Sequence, residues 1–81
     1  MMNLRNFAIV EETERTLRLD PKGFGDEIRC FNEVGEIFDK YDYDWVEFCF
    51  NGRIHHLTKE NYQQTKENYL EMLKQVTSQY A

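Results

Sequence analysis

Glu47, Cys49, His55 and His56 fall within one short stretch, and their types could do chemistry. A thiol beside an imidazole suggests a nucleophile with its base. Thiol, imidazole and carboxylate together suggest a metal site. Spacing argues against both. Asn51-Gly52 between two apolar runs is the strongest short signal for a β-hairpin, and a two-residue loop fixes its register. Phe50 then stands opposite Arg53, Phe48 opposite His55 and Val46 opposite Leu57 on one face. Cys49 stands opposite Ile54, and Glu47 opposite His56, on the other. Cys49 and His55 point to different faces, and the adjacent histidines cannot easily share one ion. Cys30 has no C-x₂-C partner either. The expectation is a surface Glu47–His56 pair, His55 at the core margin, and two buried thiols acting as small hydrophobes.

The remaining catalytic inventory is thin. Ser78 is the one serine and falls in the final turns of the sequence, a poor place for a rigid nucleophile. Gly23-Phe24-Gly25 is not followed by Gly-Lys-Ser/Thr, and Asp26-Glu27 would repel a phosphate. Paired carboxylates working as acid and base need a cleft that so small a domain rarely offers. The reading is a binding protein rather than an enzyme, with no cofactor.

The elements that position these residues follow from periodicity. Phe7–Glu12 and Arg15–Leu19 alternate as strands of a hairpin, with Leu17 and Leu19 on one face. Asp20-Pro21-Lys22-Gly23 has the residues of a type I turn, and Phe24-Gly25 extends the loop. From Asp26 to Tyr41, the side chains Ile28, Phe31, Val34, Phe38 and Tyr41 recur at helical spacing, with Asp26 as cap. Asn32 to Gly35 would also suit a hairpin turn, which keeps a six-strand meander as the alternative. Thr58 caps a final helix to about Thr77, with Leu57 and Tyr62 as a hydrophobic staple. Its apolar stripe is Tyr62, Tyr69, Leu73, Val76 and Tyr80, edged by Lys66 and Met72. Thr58-Lys-Glu-Asn-Tyr62 recurs as Thr65-Lys-Glu-Asn-Tyr69, a heptad step too brief to establish a coiled coil. The fold expected is α+β: a small antiparallel sheet with helices against it, in the order ββαββα.

Eighty-one residues make a single domain, with 41% hydrophobic and 15% aromatic residues supplying a core. No leader-like or membrane-length apolar run is present, so the cytoplasm is the default. The charge of −5 is unevenly spread. Residues 26–47 hold eight acids against Arg29 and Lys40, and the rest of the chain is close to neutral. Direct nucleic-acid binding needs clustered bases and is not expected. A protein with a basic surface is the matched partner.

Within the acidic segment, Tyr41-Asp42-Tyr43-Asp44-Trp45 alternates aromatic and acidic residues at a helix–strand junction. Aromatic side chains anchor interfaces, and acids beside them suit a basic partner. Asp42, Tyr43 and Asp44 are the first candidates for a binding surface, with Asp39, Glu36 and Glu47 as flanking charge. The function expected is an inhibitor or modulator occupying the nucleic-acid-binding surface of another protein. Small acidic proteins of phages and mobile elements, including anti-CRISPR and anti-restriction proteins, share this character in size and charge, with no motif behind the analogy. The other class is a small-ligand or nucleotide binder, or a housekeeping subunit, whose charge is solubilising. The oligomeric state, a dimer included, is open.

Chelation and reduction are each expected to leave the thermal midpoint unchanged. A drop of many degrees with either reagent would make ligands or bridge partners of Cys30, Cys49, His55 and His56.

Overall fold

The computed structural model describes residues 3–22 and 26–80, with side chains as far as residue 75. The elements are β1 (Phe7–Glu12), β2 (Thr16–Pro21), α1 (Glu27–Lys40), β3 (Trp45–Phe50), β4 (Arg53–Leu57) and α2 (Tyr62–Tyr80). The strands form one sheet in chain order. The ββαββα order is the expected one. The pairing differs in one place: β1–β2 and β3–β4 are antiparallel, but β2 and β3 lie parallel, Thr16 beside Trp45 and Leu19 beside Phe48. Helix α1 is the reason. Its 14 residues span about 21 Å, the length of a six-residue strand, so it carries the chain back to the end where β2 began.

The Asn51-Gly52 hairpin has the register read from its turn, with both central residues at positive φ, 50° and 80°. This is the handedness that suits the twist of the strands, and Asn and Gly tolerate it. The first hairpin lacks such residues and turns by another device. The Thr13 hydroxyl accepts from the amides of Arg15 and Thr16 at 3.3 and 3.0 Å, so Arg15 belongs to the turn and not to β2. Pairing slips between Ile9 and Glu11, a bulge that sets Glu12 opposite Leu17. The expected turn at Asp20-Pro21 gives way to strand. Pro21 ends β2 opposite Phe7, beyond the stretch that pairs with β3, so its missing N–H interrupts no ladder there. Gly23, Phe24 and Gly25 lie outside the described residues.

Asp26 caps α1, accepting from the Arg29 amide at 3.0 Å. The buried face is rotated from the expected stripe. Cys30, Phe31, Val34, Ile37 and Phe38 are buried, Ile28 is half-buried, and Tyr41 stays 42% exposed. Thr58 and Asn61 cap α2 reciprocally, each side chain accepting from the other's amide at 3.1 and 2.8 Å. Both helices cover one face of the sheet. That face supplies Phe7, Leu17, Leu19, Val46, Phe48 and Leu57 to the core, with Phe50 half-buried at its rim. Phe48 is central, packed on Phe7 and Phe31 at 5.3 and 5.5 Å. Gly35 lets the helices approach, since a Cβ there would run into the Tyr62 ring and hydroxyl, which donates to the Phe31 carbonyl at 2.8 Å. Cys30 is buried under α1, whereas Cys49 is exposed on the opposite face of the sheet, so only one thiol is the expected buried hydrophobe. Among the described residues, no helix is long and apolar enough to cross a membrane.

Phe48→Ala is expected to cost about 3–5 kcal/mol, a core cavity, while Cys49→Ala one residue on should cost little. Denaturant unfolding of both variants checks the register. Equal losses would show that the inner and outer faces are wrongly assigned.

Candidate functional site

Strand direction decides which loops meet. β2 and β3 start, and β1 and β4 finish, at the same end of the sheet. Helix α1 ends there and α2 begins there. Three connections therefore converge: residues 13–15, 41–44 and 58–61. They bring together Glu14, Asp42, Asp44 and Glu60, joined by Glu11 and Glu12 from β1 and Asp39 from the last turn of α1. All seven carboxylates are exposed, against four exposed bases: Arg15, Lys40, Lys59 and Arg18, which stands opposite Glu11.

The loops are tied to one another. The Asp44 amide donates to the Arg15 carbonyl at 2.6 Å, and the Arg15 guanidinium donates to the Asp44 carboxylate at 2.6–3.1 Å. Arg15 also stands 3.8 Å from Asp42, which accepts from Lys59 at 3.2 Å. The hydrogen bond from Arg15 lowers the Asp44 carboxyl below its ordinary range and Asp44 raises Arg15 in return. Exposed pairs of this kind add little stability and are readily exchanged for a partner's groups.

Of the residues chosen from sequence, Asp39, Asp42 and Asp44 are brought together at this end. Tyr43 is not a surface anchor. It is buried, and its hydroxyl donates to Glu12 at 2.9 Å. Burial and that neighbouring carboxylate push the phenol up to about 12. Its neighbour Tyr41 is the exposed aromatic, leaning on the Tyr43 ring at 6.1 Å. Glu36 sits nearer the middle of α1 and accepts from Arg5 at 2.7 Å. Glu47 lies on the open sheet face between Arg18 at 3.4 Å and His56 at 3.0 Å, the expected cross-strand pair. Glu11, Glu12 and Glu14 were missed because they are distant in sequence from residues 26–47. Strand direction would have found them once α1 was seen to reverse the chain.

Two acids of the middle segment are not on the surface at all. Glu33 is buried and accepts from the amides of Arg5 and Asn6, both at 2.8 Å. Glu27 is 1% exposed at the far end of α1. Arg53 donates to it at 2.5 and 3.3 Å, and the His55 ring nitrogen Nε2 lies 2.5 Å from its carboxylate. Burial alone would push the Glu27 carboxyl up; the hydrogen bonds from Arg53 and His55 outweigh burial and hold it below the ordinary range. The signal was present: Glu27 stands three and four residues before Cys30 and Phe31, on their face. The same acids, after burial itself, keep the Cys30 thiol protonated, pushed up to about 11.

Between α1 and α2 runs an open groove of about 660 Å³, with Glu36 and Asp39 on one wall and Lys59 and Lys66 on the other. Its polar lining differs from the mostly apolar walls of small-molecule sites. Among the described residues, no group of His, Cys, Asp and Glu side chains is arranged to hold a metal ion. No protein-family model matches the chain, and no curated protein or solved structure is similar to it.

Because its folded pKa is lowered, Glu27 contributes stability above its unfolded value near 4.3, and that contribution is lost as pH falls through the lower folded value. Glu27→Gln is expected to cost about 1–3 kcal/mol at neutral pH and to flatten the acid limb of a stability–pH curve. An acid limb identical to wild type would show that Glu27 contributes nothing to it.

Proposed function

We propose that this chain is a small acidic protein-binding module, acting in the cytoplasm, that modulates a partner by docking on its basic, nucleic-acid-binding surface. One observation supports the reading: seven exposed carboxylates against four bases at the end where three connections converge. A charge asymmetry of that size steers a basic surface into contact and rejects acidic ones. Asp39 and Asp42 supply charge from α1 and its following loop, Glu12 and Glu14 from the first hairpin, and Glu60 from the connection that leads into α2. Tyr41 is the aromatic that can enter a pocket, and Tyr43 holds it in place from beneath. The bond from the Asp44 amide to the Arg15 carbonyl and the Thr13 turn hold two of the loops, so less order is lost on binding.

The test is capture of partners from a host extract, identified by mass spectrometry, with affinity then measured across salt. The triple variant Asp39→Asn, Asp42→Asn, Glu60→Gln should fold normally and bind more weakly, chiefly through a slower on-rate. Wild-type affinity should fall about 10-fold or more between roughly 0.05 and 0.5 M salt, as exposed charges are screened. Tyr41→Ala should cost on the order of 2 kcal/mol of binding. A folded triple variant with unchanged affinity would place the interface elsewhere.

A further inference from the structure

Asn51 is the one asparagine of six that glycine follows. An asparagine side-chain amide is open to attack by the backbone nitrogen of the next residue, and a side chain on that residue obstructs the approach. Gly52 carries none, and a Cβ there would meet nothing within 4 Å. Both residues are exposed, at the end of the sheet away from the acidic loops. The turn also supplies the geometry. Positive φ at both positions, 50° and 80°, makes it type I′. Type II′ shares the positive φ at the first position and differs by a rotation of the peptide plane between the two central residues. That rotation takes ψ of the first residue to about −120°, which brings the following nitrogen into line with its Cβ, as a succinimide ring requires. Glycine at the second position accepts the accompanying change of φ from positive to negative freely. Hairpins accommodate both turn types, so the strands stay paired while Asn51 reaches the reactive state. A II′ turn prefers glycine at its first position, so that state is a minor one and conversion is slow.

We propose that Asn51 is a self-modification site, converted through a succinimide to isoaspartate, and that the product loosens Arg53 from Glu27. The inference is independent of the acidic-end reading. In the first step the Gly52 nitrogen bonds to Cγ of Asn51, the bond from Cγ to Nδ2 breaks, and Nδ2 leaves as ammonia with the Gly52 amide proton. In the second, water adds to one of the two ring carbonyls, and the ring nitrogen takes back a proton as its bond to that carbon breaks. Opening at Cγ gives aspartate. Opening at the backbone carbonyl gives isoaspartate, whose chain runs on through Cβ and Cγ. Neither step oxidises or reduces anything. Isoaspartate lengthens the loop by one backbone atom, and the length of a two-residue loop is what sets the register. Arg53 is the first residue after the loop and donates to the buried Glu27 at 2.5 and 3.3 Å. Shifting it leaves Glu27 short of a donor.

Ageing the full chain in mildly alkaline buffer at body temperature, followed by peptide mass mapping, tests this. The peptide holding Asn51 should exchange NH for oxygen before those holding Asn3, Asn6, Asn32, Asn61 or Asn68, and an isoaspartyl methyltransferase should label it. The aged chain, separated by anion exchange through its added carboxylate, should melt about 5–10 °C lower than fresh protein. Freshly made Asn51→Asp adds the charge without lengthening the backbone and should melt close to wild type. Asn51→Gly keeps a residue suited to positive φ, so it should fold, resist ageing and hold its midpoint. Earlier conversion at another asparagine, no isoaspartate at position 51, or an Asn51→Gly chain that ages as wild type does would overturn the site. An aged chain with an unchanged midpoint, or Asn51→Asp melting as low as the aged chain, would overturn the link to Arg53.

Discussion

A carboxylate inside an apolar core persists only where donors surround it, and the contacts that satisfy Glu27 tie together most of this fold. Its partners Arg53 and His55 lie on β4, so the pair joins the first turn of α1 to the second hairpin. The His55 ring is itself packed on Phe31 and Phe48, at 4.9 and 5.0 Å, which carries the constraint into the centre of the core. Tyr69 of α2 stands on Phe31 beside the same group, and burial followed by the Glu27 charge pushes its hydroxyl up. Glu33 does at the next turn but one of α1 what Glu27 does at the first, fixing the chain ahead of β1 through two amides. With α1 held at those points, its far end has one place to go, and β3 must start beside β2.

That reversal gives the molecule two unlike ends. At one, three connections and the end of a helix collect more exposed carboxylates than the arginines and lysines among them neutralise. At the other, a buried ion pair between α1 and the second hairpin closes the core. Arg15, Arg18, Arg5 and Arg53 each reach across the fold to an acid of the middle segment. The segment that looks acidic in sequence is thereby largely compensated in space, and the acids left over belong mostly to other segments. A surface reading of charge and a linear one therefore give different answers for the same composition.

The local elements were legible in the residues themselves. The Asn51-Gly52 turn, the Asp26 and Thr58 caps and the 3.6-residue spacing of α1 each depend on groups within about four residues, close enough for spacing alone to determine them. Hence the hairpin register and the last helix could be read directly, while α1 was favoured by its spacing over a hairpin turn at Asn32 to Gly35. What sequence did not decide is what lies between residues 26 or more apart: Glu27 with Arg53 and His55, Glu33 with Arg5, Tyr43 with Glu12, Arg15 with Asp44. A carboxylate reads as solvent-facing until a donor from another element reaches it, and an aromatic beside acids reads as an anchor until a core closes over it. The parallel pairing of β2 with β3, the burial of Tyr43 and the gathering of acids at one end were settled only by tertiary structure. Each is a meeting of distant segments, and the path of the backbone between them sets it.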